Sequence, residues 1–381
     1  MRPETQRLLA LLDGAQGRTR AVGGIVRDTL LDLPHEASDI DLATELPPDE
    51  VIARARRAGV SSYPTGIDHG TVTLKLDALV AEVTTLREDV ETDGRHAVVK
   101  FGTSWKRDAA RRDFTMNALY AGMDGTLFDP LDGIDDLMAR KVRFIGKPEQ
   151  RIEEDRLRVF RFFRFSASHA NERIDPDGYA ACQAAADTLG RLAAERVGSE
   201  IRRMLALGKV ANTLTAMVRA GVLSLPDAAM KLLHRYERSA RRPNFTGRVA
   251  ILLEHVPAET LQPRWRFSND EMRTATEALT VARLLGDYKV NEAAYHYPAS
   301  LADGLEVAAI LSDWGEAGKA ALRDQLERLD VPRFPLNGGD LIAVGLDPGP
   351  LLGAELDRLE RIWIESGFAL DRAMLLEMVK R

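Results

Sequence analysis

The stretch that most constrains the fold is residues 20–43, where two glycines and two aspartates flank a short helical segment. An apolar strand is predicted to lead into Gly23 and Gly24, after which the chain turns into a helix. A second strand then carries Asp39 and Asp41, which are separated by one residue. Because side chains alternate between the faces of a strand, the two carboxylates are expected to point the same way.

This arrangement favours a particular ligand chemistry. Neighbouring carboxylates repel each other and raise each other's pKa unless a cation lies between them. Mg²⁺ prefers a few carboxylates together with phosphate oxygens. Paired glycines let the backbone approach a ligand, and amides at a helix start attract phosphate. An Asp-x-Asp pair or a Gly-Gly turn alone is usually only structural, but their order here predicts a site for a nucleoside triphosphate and its metal.

Length and composition narrow the class of protein. A chain of 381 residues is expected to form two to four units. No apolar run approaches the roughly 20 residues of a membrane span, and residues 1–14 lack the order of a signal peptide and predict a short amphipathic helix. The single cysteine, Cys182, excludes an internal disulfide and a cysteine-rich zinc site, and it is expected in the core. These features predict a cytoplasmic protein that does not enter a membrane.

Basic residues are concentrated although the formal net charge is −6. That charge argues against a surface coated uniformly for nucleic acid. Residues 95–112 and 151–164 are nevertheless rich in arginine and lysine. Such tracts either bind a polyanion with salt-sensitive affinity or form solvated helical faces, and both interpretations remain open.

Strand and helix patterns alternate in the first third of the chain. Residues 71–76 and 80–86 predict a hairpin around Asp77-Ala78, and Glu82 lies on its second strand. Residues 87–95 are predicted to form a loop that becomes ordered when needed. Residues 105–121 have helical character.

Strand patterns nearly vanish after Gly133. Helical patterns follow over residues 152–168, 175–189, 191–207 and 210–220, and further helices are predicted beyond them. The chain is therefore predicted to have a mixed α/β beginning and an all-helical remainder.

One predicted helix has the side chains to read a base. Asp155 and Arg158 are three apart, hence neighbours on a helix surface, and Arg161 and Arg164 continue the spacing. A carboxylate accepts from an amino group, and a guanidinium donates to a ring nitrogen or carbonyl. The pair would favour cytosine and adenine over uracil and guanine by about 1–3 kcal/mol. A salt bridge with solvated arginines is the structural alternative.

Five motifs occur together in residues 20–167: GGIVRD, SDIDLA, AEVTTLRED, RRDFTMNA and EEDRLRVFRFFRF. Their order and approximate spacing resemble the superfamily of class II, CCA-adding tRNA nucleotidyltransferases and bacterial poly(A) polymerases. The resemblance implies an α+β protein, with a mixed α/β nucleotidyltransferase head on a small β-sheet and an all-α neck, body and tail. The implied boundaries are 1–135 for the head, 136–208 for the neck, 209–300 for the body and 301–381 for the tail.

The resemblance also assigns roles to individual residues. Asp39 and Asp41 match the metal-binding carboxylates for two Mg²⁺ ions, and Glu82 matches a third acidic position that positions or deprotonates the primer hydroxyl. Asp155 and Arg158 match the base-reading pair. The full set of nucleotide-binding positions implied is Gly24, Arg27, Arg112, Asp113, Asn117, Asp155, Arg158, Arg161 and Arg164, with Asp113 and Asn117 in the motif that recognises the sugar.

The implied activity is addition of CCA, from CTP and ATP, to tRNA that lacks a complete 3′ CCA, with no DNA partner expected. Asp93, Gly94 and Arg95 resemble a flexible-loop element that CC-only enzymes lack, which disfavours CC-only addition. Addition of A alone, poly(A) synthesis, a non-catalytic RNA-binding protein and a small-molecule nucleotidyltransferase remain alternatives.

Overall fold

The computed structural model describes residues 2–33, 39–92 and 97–380. In these ranges the strands form one seven-stranded sheet, ordered β3-β4-β5-β2-β1-β8-β9, and a separate pair, β6-β7. The strands are β1 Thr19–Val22, β2 Asp39–Thr44, β3 Ser61–Gly66, β4 Thr71–Leu76, β5 Leu79–Thr85, β6 Arg87–Thr92, β7 Ala97–Phe101, β8 Tyr120–Ala121 and β9 Leu127–Phe128.

Helices flank the sheet strands in sequence and then make up the rest of the described chain. The helices are α1 Pro3–Leu11, α2 Gly24–Leu30, α3 Pro48–Arg57, α4 Trp105–Ala110, α5 Gly133–Met138, α6 Pro148–Glu154, α7 Leu157–His169, α8 Pro176–Ala184, α9 Ala194–Leu205, α10 Ala211–Arg219, α11 Asp227–Ser239, α12 Phe245–Leu253, α13 Ala258–Trp265, α14 Asn269–Gly286, α15 Val290–His296, α16 Leu301–Leu311, α17 Glu316–Arg328, α18 Gly338–Ala343, α19 Pro350–Glu365 and α20 Arg372–Glu377. The predicted fold class, a mixed α/β head followed by helices, is confirmed.

The chain divides into two compact units. Unit 1 comprises Met1–Glu200 and Asn212–Ser224, and unit 2 comprises Ile201–Ala211 and Leu225–Arg381. The finer division into head, neck, body and tail stays a prediction. None of the described helices is both long enough and apolar enough to cross a bilayer.

The central strands of unit 1 place acidic residues side by side. β2 and β5 run parallel, and Asp41 lies directly opposite Glu82 in their register. β5 also pairs antiparallel with β4 through the predicted two-residue turn, where Asp77 adopts a φ of 55°. The hairpin is therefore confirmed, and it carries Glu82 to the neighbour position of the Asp-x-Asp strand.

Two predicted segments differ from the structure. Residues 87–92 are not a loop but strand β6, which pairs antiparallel with β7, so their backbone groups are satisfied by a ladder. Asp93, Gly94 and Arg95 lie outside the described residues. The predicted helix over 105–121 ends as α4 at Ala110, because Phe114 is extended and bridges to Phe144.

Unit 2 is held by close helix packing. α14 and α16 approach so closely at Gly304 that a Cβ there would overlap the Val281 side chain. Trp265 and Trp363 are 1% and 2% exposed. Both tryptophans are therefore core residues and not stacking platforms for bases.

A buried ion pair dominates the polar interior of unit 2. Arg248 is fully buried and donates to Glu237 at 2.7 Å and to the carbonyls of Leu205 and Gly208 at 2.7 and 3.0 Å. We expect Arg248→Ala to lower the free energy of unfolding by about 3–5 kcal/mol, because it leaves the Glu237 carboxylate, whose side chain is 8% exposed, without its cation. Urea titration followed by circular dichroism measures this loss.

The matched control is Arg273→Ala. Arg273 also pairs with two carboxylates, Asp270 and Glu277, but its side chain is 60% exposed. Exposed pairs contribute about 0–1 kcal/mol. If Arg248→Ala and Arg273→Ala lost equal amounts of unfolding free energy, the buried Arg248–Glu237 pair would contribute no more to stability than an exposed pair.

Candidate active site

The glycine turn before α2 is the point at which the motifs meet. Gly23 has a φ of +72°, a conformation that side-chain-bearing residues rarely adopt. A Cβ built there would lie 3.8 Å from Nη1 of Arg112 and 3.9 Å from Oδ2 of Asp41. Gly23, which the motif comparison did not single out, is therefore the glycine that the site requires. Its positive φ could not be identified from the sequence, since either glycine of the pair could have adopted it.

Two carboxylates share one face of the sheet beside this turn. Asp41 and Glu82 are register partners on parallel strands, and both residues are exposed. Asp39 is on the same strand, but its side chain is not among those described. No cluster of three or more potential metal-ligating side chains occurs among the described residues, a set that leaves Asp39 out. The oxygen-only donors that are described suit a hard cation such as Mg²⁺.

Arg112 is oriented by a buried aspartate. Its Nε and Nη2 contact Oδ2 of Asp108 at 3.3 and 3.1 Å, and Tyr120 donates its hydroxyl to the same oxygen at 2.9 Å. Burial raises the pKa of Asp108, but Arg112 and Arg111 more than offset this, so its pKa lies below the usual value. Asp108 therefore stays ionised and leaves Nη1 of Arg112 directed at Gly23. The i, i+4 spacing of Asp108 and Arg112 was the available sequence signal.

Asp113 and Asn117 form a network and not an open pocket. Asp113 is 7% exposed and accepts from the Phe114 amide, from Nδ2 of Asn117 at 3.0 Å and from Nε of Arg161 at 2.7 Å. Burial by itself raises the pKa of Asp113, but Arg161 and these hydrogen bonds lower it by more, so the pKa lies below its usual value. Asn117 in turn accepts from Nη1 of Arg27 at 2.6 Å. Both residues thus hold arginines in place, which fits the support role implied by the motif, while sugar recognition stays a prediction.

Arg27 is fixed by Asp28 and, through it, by His169. Nε and Nη2 of Arg27 donate to the two oxygens of Asp28 at 2.7 and 3.0 Å. Nε2 of His169, at the end of α7, lies 3.0 Å from Oδ1 of Asp28. No sequence spacing joins positions 28 and 169. Only the packing of α7 against α2 brings them together.

We expect this contact to be visible in acid unfolding. Burial raises the pKa of Asp28, but hydrogen bonds from His169 and Arg27 outweigh it and hold the pKa at about 2. Because the pKa is lower in the folded than in the unfolded state, the stabilisation is complete above about pH 4 and is lost as the pH falls towards 2. Asp28→Asn should therefore reduce the loss of unfolding free energy between pH 4 and 2.

The control for this experiment is Asp187→Asn, which changes an exposed aspartate of the same unit. Urea titrations at a series of pH values compare both variants with the wild type. An acid profile of Asp28→Asn identical to that of Asp187→Asn would show that the His169–Asp28–Arg27 contact contributes nothing.

The base-reading pair does not have the predicted geometry. Asp155 is extended, with φ −150° and ψ 105°, and it separates α6 from α7, so residues 152–168 are not one helix. Its Oδ1 accepts from the Leu157 amide at 3.1 Å, because an aspartate side chain competes with the helical hydrogen bond, and its Oδ2 accepts from Arg196 at 2.8 Å. The prediction that Asp155 and Arg158 are helical neighbours was wrong.

Arg158 joins α7 to the segment that carries Arg112. Its Nη1 donates to Glu154 at 2.6 Å, and its Nη2 donates to the Arg111 carbonyl at 3.2 Å. Since Arg111 precedes Arg112, this contact places the predicted base-reading arginine next to the residue that faces Gly23. On α7 itself, Val159 and Phe163 are fully buried.

A carboxylate from α9 completes the arginine cluster. Glu200 is 4% exposed and accepts from Nε of Arg164 at 2.5 Å, while Nη1 of Arg161 lies 3.9 Å from its other oxygen. The position of Glu200 on α9, far from α7 in the sequence, explains why spacing gave no signal.

Comparison with known proteins first defines the class. Residues 19–143 match the family described as "Poly A polymerase head domain", and residues 173–230 match "Probable RNA and SrmB- binding site of polymerase A". The first match spans the glycine turn, both sheet carboxylates and Arg112. The second begins shortly after α7.

Full-length relatives then identify the family. The mitochondrial CCA tRNA nucleotidyltransferase 1 of Danio rerio is 33% identical over 96% of this chain and 88% of the relative. The CCA-adding enzyme of Limosilactobacillus fermentum is 32% identical over 97% and 94%. The chain therefore belongs to the CCA tRNA nucleotidyltransferase family, and the resemblance inferred from the motifs is confirmed.

Solved structures agree with this fold. The Bacillus stearothermophilus CCA-adding enzyme in complex with CTP superimposes with a TM-score of 0.77 at 28% identity, covering 96% of this chain and 94% of the other. The Thermotoga maritima CCA-adding enzyme complexed with tRNA has a TM-score of 0.67 at 20% identity, covering 99% and 95%, and shows a shared fold.

Proposed function

We propose that this protein adds CCA to the 3′ end of tRNA from CTP and ATP and releases pyrophosphate. The observation that carries the proposal is the convergence at Gly23, where Oδ2 of Asp41 and Nη1 of Arg112 both lie within 4 Å of a Cβ built on the turn that leads into α2. A carboxylate for a metal and a cation for phosphate are groups that phosphoryl transfer needs. Membership of the family supports the choice of tRNA as acceptor.

Each group has a task in this reaction. Asp39 and Asp41, with Glu82 opposite, would hold Mg²⁺, which when bound lowers the pKa of the attacking hydroxyl and stabilises the leaving pyrophosphate. Arg112 and Arg27 would neutralise the triphosphate. Asp155, at the break between α6 and α7, and Arg158, on α7, would read the base from separate backbone positions and not from one helix surface.

A basic helix face in unit 2 supports a polyanionic partner. Lys231, Arg235 and Arg238 are four and three residues apart on α11, so they share one face. Lys231 and Arg238 are exposed, whereas Leu233 and Tyr236 on the opposite face are fully buried. Such a stripe suits the phosphates of an RNA arm. The proposed location is the cytoplasm, and the free thiol of Cys182, which is buried as predicted, is consistent with it.

The test supplies tRNA that ends before CCA, with CTP alone, ATP alone and both together. We expect two additions with CTP and a third when ATP is also present, because the base-reading groups accept only these two bases. Product length on a sequencing gel measures the result. A ladder of many A residues would contradict CCA addition and indicate poly(A) synthesis. The head-domain match taken alone is compatible with that activity as well. A lack of any Mg²⁺-dependent product would favour an RNA-binding protein without activity.

A further inference from the structure

Three arginines of the candidate site converge on one aromatic ring. The guanidinium carbons of Arg164, Arg27 and Arg161 lie 4.0, 4.9 and 5.3 Å from the ring centre of Phe165. Phe165 is on α7 and is 4% exposed. The ring is thus shared by cations from α2 and α7.

Each of these arginines pairs with a carboxylate, and the three carboxylates come from different parts of the chain. Arg27 pairs with Asp28 on α2, Arg161 pairs with Asp113, and Arg164 pairs with Glu200 on α9. The carboxylates balance charge, but no single one of them is bonded to all three cations. Phe165 is the side chain that all three contact. Because the face of an aromatic ring attracts cations, it can hold like charges close together without neutralising them.

We propose that Phe165 is a positioning residue, whose ring sets the spacing of Arg27, Arg161 and Arg164 for the triphosphate. This inference rests on the proposed function, since it assigns those arginines to the incoming nucleotide. A further carboxylate in the same place would outnumber the three guanidinium groups, which already pair with Asp28, Asp113 and Glu200, and would repel the phosphates. An aliphatic side chain would fill the volume without attracting the guanidinium groups.

The first test is Phe165→Leu, with Phe163→Leu as its matched control. Phe163 is on the same helix and is fully buried, and within the described part of the chain its ring contacts are Phe162 and Tyr179. We expect Phe165→Leu to raise the KM for CTP about tenfold with little change in kcat, as the loss of one or two cation–ring contacts predicts. Phe163→Leu should leave the KM for CTP near the wild-type value, although it should lower the melting temperature about as much as Phe165→Leu does.

A second measurement separates the charge of the ring from its shape. Mono-, di- and trifluorinated phenylalanine, introduced by nonsense suppression, progressively weaken the attraction of the ring face for cations at nearly constant volume. The KM for CTP should rise stepwise with fluorination at position 165 and stay flat at position 163. A flat response at 165, or an equal rise at both positions, would overturn the proposal.

Failure of the inference and failure of the proposed function give different results. If wild-type protein incorporates CMP and AMP but Phe165→Leu has the KM of Phe163→Leu, only the positioning role is lost. If the wild type incorporates neither nucleotide, binding of labelled CTP by equilibrium dialysis still tests whether Phe165→Leu weakens the triphosphate site. Equal CTP binding by Phe165→Leu and Phe163→Leu would overturn the role in that case as well.

Discussion

Asp41→Ala should reduce nucleotide incorporation into tRNA by about 10³-fold or more, the largest effect that we expect from one substitution. A divalent ion supplies several kcal/mol of stabilisation to phosphoryl transfer, and each 1.4 kcal/mol corresponds to tenfold in rate. Asp41 is the described carboxylate that combines the register contact with Glu82 and the proximity to Gly23 and Arg112. Incorporation of labelled CMP into tRNA lacking its 3′ CCA measures the loss.

The matched control is Asp68→Ala, which removes an exposed aspartate elsewhere in unit 1 and should leave the rate unchanged. A metal substitution adds a direct test of ligation. Asp41→Cys should be inactive with Mg²⁺ and should regain activity with a softer ion such as Mn²⁺ or Cd²⁺, because thiolates bind soft ions better. If Asp41→Ala retained more than about a tenth of the activity, which corresponds to 1.4 kcal/mol, Asp41 would not belong to the metal site.

Asp155→Ala should have a larger effect on base selectivity than on the rate of CMP incorporation. The Asp155 carboxylate is ordered by the Leu157 amide and by Arg196, so it presents acceptor oxygens from a defined position. Losing those acceptors should raise incorporation of UMP relative to CMP by about 10–100-fold, as a good base contact discriminates by about 1–3 kcal/mol. Competition between CTP and UTP on the same tRNA measures the ratio.

Arg196→Met provides the comparison for this second experiment. It removes the partner of Asp155 but keeps the carboxylate and the Leu157 contact, so selectivity should fall by less than in Asp155→Ala. The Mg²⁺ requirement should be unchanged in both variants, because neither residue is among the proposed metal ligands. Undiminished rejection of UTP by Asp155→Ala would remove the residue from base selection.

Much of the head could be predicted because its signals are local. The apolar alternation of β4 and β5, the turn at Asp77 and the order of glycines, helix α2 and strand β2 depend on near neighbours in the chain. Backbone conformation there follows from side-chain periodicity and turn chemistry, which are visible in sequence. The parallel register that faces Asp41 to Glu82 is not local, and the motif resemblance implied only that Glu82 is a third acidic position.

The wrong predictions arose where strand pairing, a β-bridge or a side-chain hydrogen bond outweighed the local sequence pattern. Residues 87–92 are polar and resemble a loop, but pairing with β7 makes them a strand. Residues 105–121 have helical composition, yet the bridge between Phe114 and Phe144 keeps the backbone extended after α4. At Asp155 a side-chain hydrogen bond to Leu157 ends one helix and begins another. In each case the hydrogen bond that formed was not the one that periodicity favours.

The sequence by itself determined the chemistry of the site, because residue types and short spacings decide which ligands can be bound. Aspartates two apart on a strand, glycines before a helix and arginines every third residue already indicated a metal, a phosphate and a base. Only the tertiary structure decided the distant partners of those groups: Glu200 for Arg164, His169 for Asp28, and Phe165 for Arg27. These pairs join side chains from separate helices, and their distances depend on packing that no local pattern encodes.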